Sequence, residues 1–477
     1  MMISSHAVAA VPPHIQPLIE AGEFDKAQEQ LRAAATAPGV AEADARGLLY
    51  EAERLDRIRK DFTITEPELY AQIREQIPDL APEEIRVWRE AGWLEGRMVD
   101  GRRRYFKNTV RNLFRLSAEA RARRLPQAEP TPGAKPSGDR EVSMEERMAT
   151  YLAERRTADS VHVAPRRFLI NYALTVDADA VPAGETVRCW LPFPREVPSQ
   201  QDIALVSSDP AGAFIAPNDA LQRSAYLERT AVAGQPTRFE IAFTLTTRAR
   251  VEIVDPAIVQ PYDTASELYR TYTAEEPPHL EFTPRLRALA REIVGDETNP
   301  YLKARRIYGY IDGNIRYTSA LEYSTIPNIS EYCAENGRGD CGIQGLLFIA
   351  LCRISGVPAK WQSGWSLLPE RTTMHDWTEF YVEPYGWLPA DPSRGCRPSD
   401  DELVRWFNFG NMDPYRLVVN DAYGTEFVPP KKHFRSETVD FQRGEVEWAG
   451  GNLYFDQWDW DIEVLQHQED APATAKE

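Results

Sequence analysis

One cysteine, Cys341, stands in GRGDCGIQGLLFIALCRISGVPAKWQSGW (337–365), just after a turn carrying Gly339 and Asp340 and just before an almost unbroken apolar run. This arrangement predicts a thiol at the first turn of a buried helix, where the positive end of the helix dipole favours thiolate over thiol. The dipole contributes at most ~2 kcal/mol. That brings a thiol from ~8.5 only to about 7. Stronger activation needs a second cation, usually an imidazolium. Of the seven histidines, His6, His14, His162 and His467 lie in terminal or linker-like stretches, and His279 and His433 in loop-like ones. His375 opens HDWTEFYV, a predicted strand 34 residues after Cys341, and Asp391 closes the next one, GWLPAD, 16 residues further on. Antiparallel neighbours joined by a turn near Pro384–Gly386 set the start of one strand beside the end of the other. His375 and Asp391 are therefore expected side by side, whereas Asp376 points to the opposite face. A thiol, an imidazole and a carboxylate so placed predict nucleophilic acyl chemistry. Singly, each has a plain structural reading: a small core residue, an edge-strand histidine, a turn former before Pro392. Their coincidence favours an enzyme.

The elements that position these groups are readable. Thr283-Pro284 caps a helix with an apolar stripe at Leu286, Leu289, Ala290 and Ile293 and a stop at Gly295, and Asn299-Pro300 opens another through about Ile315. The cysteine-bearing helix is expected to run from near Cys341 to Gly356, with Pro358 just beyond. Strands follow in AKWQSGW, HDWTEFYVEP and YGWLPAD. Upstream, Phe168, Ile170, Tyr172, Leu174 and Val176 alternate, as do Val187, Cys189 and Leu191, and Phe239, Ile241, Phe243 and Leu245. Period two between turn signals indicates an antiparallel β-sandwich. The fold class expected is multidomain α+β: a helical region over 1–124, a Pro-rich linker and short helix over 125–165, the sandwich over 166–262, and a catalytic α+β domain over 263–477 that the aromatic and acidic tail extends with strands.

Within 1–124, HIQPLIEAGEFDKAQEQLRAAAT reads as one helical hairpin, followed by two helices and a hairpin at Asp100-Gly101 in a winged-helix-like order. Between Arg97 and Arg124 ten basic residues meet two acidic ones, although the net charge is −18. That acidity disfavours nucleic acid and anionic membranes as partners, and the basic segment is read as packing on acidic surface of the same chain. No run approaches the ~20 apolar residues of a membrane span. No signal peptide is visible, so the protein is expected to be soluble and cytoplasmic by default, or extracytoplasmic if a leader was removed. The five cysteines include no CxxC pair, which predicts neither a disulfide framework nor structural zinc. Cys352 is expected to be buried and inert. Cys333 and Cys396 flank the candidate site in sequence.

The segments GRGDCG…FIALCRISGVPAKWQSGW, HDWTEFYV and YGWLPADPSRG resemble the transglutaminase-like superfamily of cysteine proteases, amidases and acyltransferases over roughly 265–400. The resemblance implies a papain-like fold with Cys341 as nucleophile, His375 as base and Asp391 as orienter. The calcium sites of animal transglutaminases have no visible counterpart in this sequence, so no metal or other cofactor is expected. The substrate expected is a peptide or protein amide, cleaved through a thioester by a peptidase or amidase. A protein-glutamine acyltransferase is the alternative, and a non-catalytic binding protein the second. The Cys341 backbone N–H is one expected oxyanion donor, with Tyr332 a candidate for the second. Trp377, Asp340 and Trp365 are candidates for the walls of the site. The oligomeric state is not legible.

Overall fold

The computed structural model describes residues 11–126 and 143–469. Helices α1 (Gln16–Ala21), α2 (Phe24–Ala35), α3 (Glu42–Asp61), α4 (Glu66–Arg74) and α5 (Pro82–Glu90) lead to the hairpin β1 (Gly96–Val99) and β2 (Arg102–Tyr105). Asp100 and Gly101 at its turn both have positive φ (44° and 76°), as a tight two-residue turn requires. Helices α6 (Thr109–Leu116) and α7 (Ala118–Arg123) complete this unit. Most of the Pro-rich linker lies outside the described residues. Helix α8 (Met144–Thr157) begins with a capping box at Ser143 and Glu146.

Strands β3 (His162–Val176), β4 (Thr186–Pro192), β5 (Gln200–Asp209), β6 (Phe214–Ile215), β7 (Ser224–Thr230) and β8 (Thr237–Arg250) follow. Their alternating apolar residues, Phe168 to Val176 and Phe239 to Leu245 among them, face one another in a shared core. The next segment carries α9 (Glu267–Tyr272), α10 (Pro284–Val294), α11 (Pro300–Asn314), β9 (Arg316–Tyr317), α12 (Ile329–Asn336), β10 (Arg338–Gly339) and α13 (Cys341–Ile354). It ends with β11 (Ala359–Leu368), β12 (Arg371–Val382), β13 (Gly386–Ala390), α14 (Glu402–Arg405) and β14 (Arg416–Asn420). The tail forms β15 (Glu445–Trp448), β16 (Gly451–Leu453) and β17 (Trp458–Glu469).

Three sheets organise the centre. The core sheet has the order β13-β12-β11-β14, and the sandwich sheets run β16-β15-β4-β7-β6 and β17-β3-β8-β5. The tail strands therefore do not extend the catalytic sheet, as its sequence suggested. They pair with β4 and β3 and complete the sandwich. The reason is burial: Val446, Leu453 and Trp458 join the sandwich core. The two layers also share side chains, because Trp365, Leu367, Leu417 and Val419 of the core sheet pack into that same cluster.

On the other side α13 is buried almost along its whole length, beneath Trp361, Phe380, Leu388 and Ala390. The expected start and stop signals are in place. Thr283 caps α10, Asn299 caps α11, and Asp340 caps α13 by accepting from Ile343 N–H. The helical N-terminal unit docks on this core through Arg54, which donates to Thr325 O at 2.8 Å, and through Lys107, which stands 3.4 Å from Glu322 and 2.9 Å from Asp61 of its own unit. Within the basic segment, Lys107 and Arg123 are in ion pairs, Arg123 with Glu84 and Asp79 of its own unit. Among the described residues no helix is long and apolar enough to cross a membrane.

Candidate active site

Cys341 is the first residue of α13, held there by the Asp340 cap. The residue is buried, with 8% of its surface exposed. His375 lies inside β12 rather than at its start, because Arg371–Met374 already pair with Trp365–Leu368. Adjoining β13 ends at Ala390, and the chain turns at Asp391. There His375 Nε2 and Asp391 Oδ2 are 2.6 Å apart, both side chains buried. Asp391 is fixed further by Ser393 Oγ at 2.9 Å and Arg394 N–H at 3.2 Å, both on Oδ1.

A group that sequence reasoning missed completes this half of the site. Arg416 Nη1 stands 2.8 Å from Asp391 Oδ2, and Arg416 Nε donates to Asp413 at 3.1 Å. An arginine in the apolar strand RLVVN was the available signal, since a buried guanidinium needs a carboxylate partner. Burial pushes the Asp391 carboxyl up, but His375 and then Arg416 outweigh it and hold the carboxyl well below the usual range. Burial lowers the His375 imidazole against the opposing pull of Asp391. An ionised Asp391 can only accept, so Nε2 of a neutral His375 carries the proton and Nδ1 is left as the basic nitrogen.

The thiol has different company. Cys341 Sγ donates to Asp376 Oδ2 at 3.2 Å, and no hydrogen bond joins it to His375. Asp376 does face away from the His375 side of the strand, and that is the face which α13 covers. Tyr323 O–H bridges Asp340 Oδ1 at 2.8 Å and Asp376 Oδ2 at 3.2 Å, and Gln442 Nε2 donates to Asp376 Oδ1 at 2.5 Å. Burial and then the neighbouring Asp340 raise the Asp376 carboxyl to about 8, and burial raises Asp340 to about 6. Burial, then Asp376 and Asp340, hold the Cys341 thiol well above its ordinary value. The helix-start expectation of a lowered thiol is thus overturned. Burial is the largest cause, and it opposes the thiolate more strongly than the at most ~2 kcal/mol that the dipole contributes.

The remaining candidates separate. Trp377 is buried on the His375 face, its ring 6.0 Å from the imidazole and 5.4 Å from the Arg416 guanidinium, with Nε1 donating to Gln362 at 2.7 Å. Asp340 lines the thiol side. Trp365 does not line the site: it is wholly buried in the sandwich, 4.9 Å from the Tyr172 ring, with Nε1 donating to Gln442 O at 3.1 Å. Tyr332 is turned away too, since its hydroxyl donates to Glu95 of the N-terminal unit at 3.0 Å. It lies on the face of α12 that meets that unit. A different tyrosine, Tyr317, neighbours Cys341. Its residue in β9 pairs with Gly339, and the Cys341 charge is the largest influence raising its hydroxyl.

All five cysteines are free. Among the described residues no group of three or more His, Cys, Asp or Glu side chains could hold a metal ion. A cavity of about 450 Å³ opens elsewhere, between α3 and the loops around Pro277 and Arg435, and Cys341 does not line it.

Residues 287–392 match the family model of the transglutaminase-like superfamily, and this stretch, which contains Cys341, His375 and Asp391, carries that superfamily's core. The match supports a cysteine-dependent enzyme in general. The uncharacterized protein YebA of Bacillus subtilis is 26% identical over 130 residues, which cover 23% of this chain and 18% of YebA. The chain thus spans less than a fifth of that relative. An uncharacterized protein of Haemophilus influenzae is 20% identical over 301 residues, covering 55% of this chain and 81% of its own length. Among solved structures, a candidate cysteine protease from Cytophaga hutchinsonii superposes with a TM-score of 0.42 at 17% identity, covering 65% of this chain and 94% of that one. The periplasmic domain of TgpA from Pseudomonas aeruginosa gives 0.26 at 15% identity, covering 52% and 91%.

Proposed function

We propose, on the premise of a transglutaminase-like core at 287–392, that the protein performs cysteine-dependent acyl transfer on peptide-type amides, with water as the acceptor. The observation that carries the reading is the buried His375–Asp391 pair at 2.6 Å, braced by Arg416, on the strand whose next residue touches Cys341 Sγ. Consecutive Cα atoms are ~3.8 Å apart, so the His375 backbone adjoins the residue that Cys341 touches, while the two side chains leave opposite faces of the strand.

In this mechanism the thiol turns from Asp376 and gives its proton to His375 Nδ1. The sulfur then bonds to the amide carbon, and the carbonyl electrons move to oxygen. Asp391 holds the imidazole and stabilises the imidazolium. The C–N bond breaks as His375 returns the proton to the leaving amine, giving a thioester. Water, deprotonated by His375, attacks the thioester; the C–S bond breaks and the thiol is restored. The Cys341 backbone N–H serves as one oxyanion donor. Tyr317 replaces Tyr332 as the candidate for the second, because it lies beside the sulfur.

The test is incubation with a peptide and glutamine-amide panel, with and without a primary amine. Ammonia or cut peptide in both conditions is expected. Amine-linked product would make the enzyme a transferase. The absence of any product, with Cys341 inert to thiol reagents, would leave a binding protein.

A further inference from the structure

Helix α6 reaches the neighbourhood of the thiol from the N-terminal unit. Asn112 clasps it there: Nδ2 donates to Ser319 O and Oδ1 accepts from Ser319 N–H, both at 2.8 Å. Ser319 follows β9, whose Tyr317 pairs with Gly339, two residues before Cys341. Thr318 N–H also donates to Gly339 O at 3.1 Å. On this anchored helix Arg111 and Arg115 are one turn apart and share a face. The Arg115 guanidinium lies 5.2 Å over the Tyr317 ring, and its Nη1 is buried without a hydrogen-bond partner. Arg371 opens β12 on the strand face that carries His375. Arg371 and Arg111 both act on Arg115 as repelling charges, after burial.

Among the described residues none of these three arginines is in an ion pair, whereas Lys107 and Arg123 close by in sequence both are. In a chain of net charge −18 the half-buried Arg115 lies against Tyr317, the neighbour of Cys341, and the exposed Arg111 and Arg371 add two more unpaired cations to its surroundings. A buried donor with no partner is costly, and a ligand that supplied an anion would recover that cost.

We infer that Arg111, Arg115 and Arg371 form an anion subsite, and that the acyl donor carries a carboxylate close to the amide that Cys341 attacks. The inference rests on the reading of Cys341 as nucleophile. Two sources share that chemistry, an acidic side chain and a free chain terminus.

The experiment compares alkylation of Cys341 by iodoacetate and by iodoacetamide, read by mass spectrometry of the Cys341 peptide. The two reagents need the same thiolate, so their rate ratio cancels the thiol pKa and isolates recognition of the carboxylate. The ratio is expected about tenfold above that of glutathione. Arg115→Gln combined with Arg371→Gln should return it to the glutathione value, and Arg115→Lys should retain most of it. A wild-type ratio no higher than glutathione's, or one that both variants leave unchanged, overturns the subsite. If neither reagent modifies Cys341, the nucleophile reading itself fails and the subsite falls with it. Protection from iodoacetamide by an amidated glutamyl peptide, against a neutral peptide with a free terminus, identifies the source of the carboxylate.

Discussion

Asp391 and Asp376 are both buried, and they belong to opposite sides of one strand pair, yet they hold protons oppositely. Asp391 meets an imidazole and a guanidinium and is held far below the carboxylate range. Asp376 meets a thiol, a phenol and another carboxyl and is raised to about 8. Depth is the same in the two places, so the neighbours decide the charge. One side of the site is built to keep a negative charge that orients a base. The other keeps protons, and the resting nucleophile with them.

The comparison can be broken at either end. Cys341→Ala should abolish labelling by a thiol-directed amide or ester probe while the circular dichroism spectrum stays that of the wild type. Asp391→Asn should lower kcat by ~10⁴ with little change in KM, measured on whichever amide the panel reveals. Arg416→Met should cost about 3–5 kcal/mol in urea denaturation, because it strands the Asp391 charge in the interior. Asp376→Asn should act in the other direction above the range in which that carboxyl is protonated: iodoacetamide alkylation of Cys341 should change little at pH 7 and speed up about tenfold at pH 9, where the carboxylate that opposes the thiolate is gone.

The same substitution sharpens the comparison through stability. A carboxyl raised from ~3.9 to about 8 stays protonated in the folded chain while the unfolded chain has released its proton. Between those values the unfolded state binds fewer protons, so stability falls as pH rises, by up to ~1.4 kcal/mol per unit for this group. Asp391 has the reverse sign: its contribution is complete above ~4 and is lost as pH falls below it. Asp376→Asn should therefore flatten the decline of Tm between pH 4 and 8, and leave the acid limb unchanged.

What the sequence disclosed follows the range of the interactions. Caps are local, so Thr283, Asn299 and Asp340 announce α10, α11 and α13 from their own neighbours. The nearness of His375 to Asp391 needs only a hairpin, and it too is visible. Strand alternation separated Asp376 from His375. It could not say which face α13 would cover, and so it missed the contact between Asp376 and the sulfur. Arg416 reaches Asp391 from a strand that joins the far edge of the sheet, beyond any local pattern. Tyr332 was misjudged because its partner, Glu95, comes from the N-terminal unit, more than two hundred residues upstream. The tail was assigned to the wrong sheet for the same reason, as its alternating residues fit either layer and only β3 and β4 select between them.

The central claim is that Cys341 carries the acyl group. The direct measurement is the mass of the protein quenched in acid during turnover of an activated peptide ester. One acyl unit on the Cys341 peptide, discharged more slowly in Asp391→Asn, is the result expected. Turnover that leaves this peptide unmodified, or that survives Cys341→Ala undiminished, would contradict it.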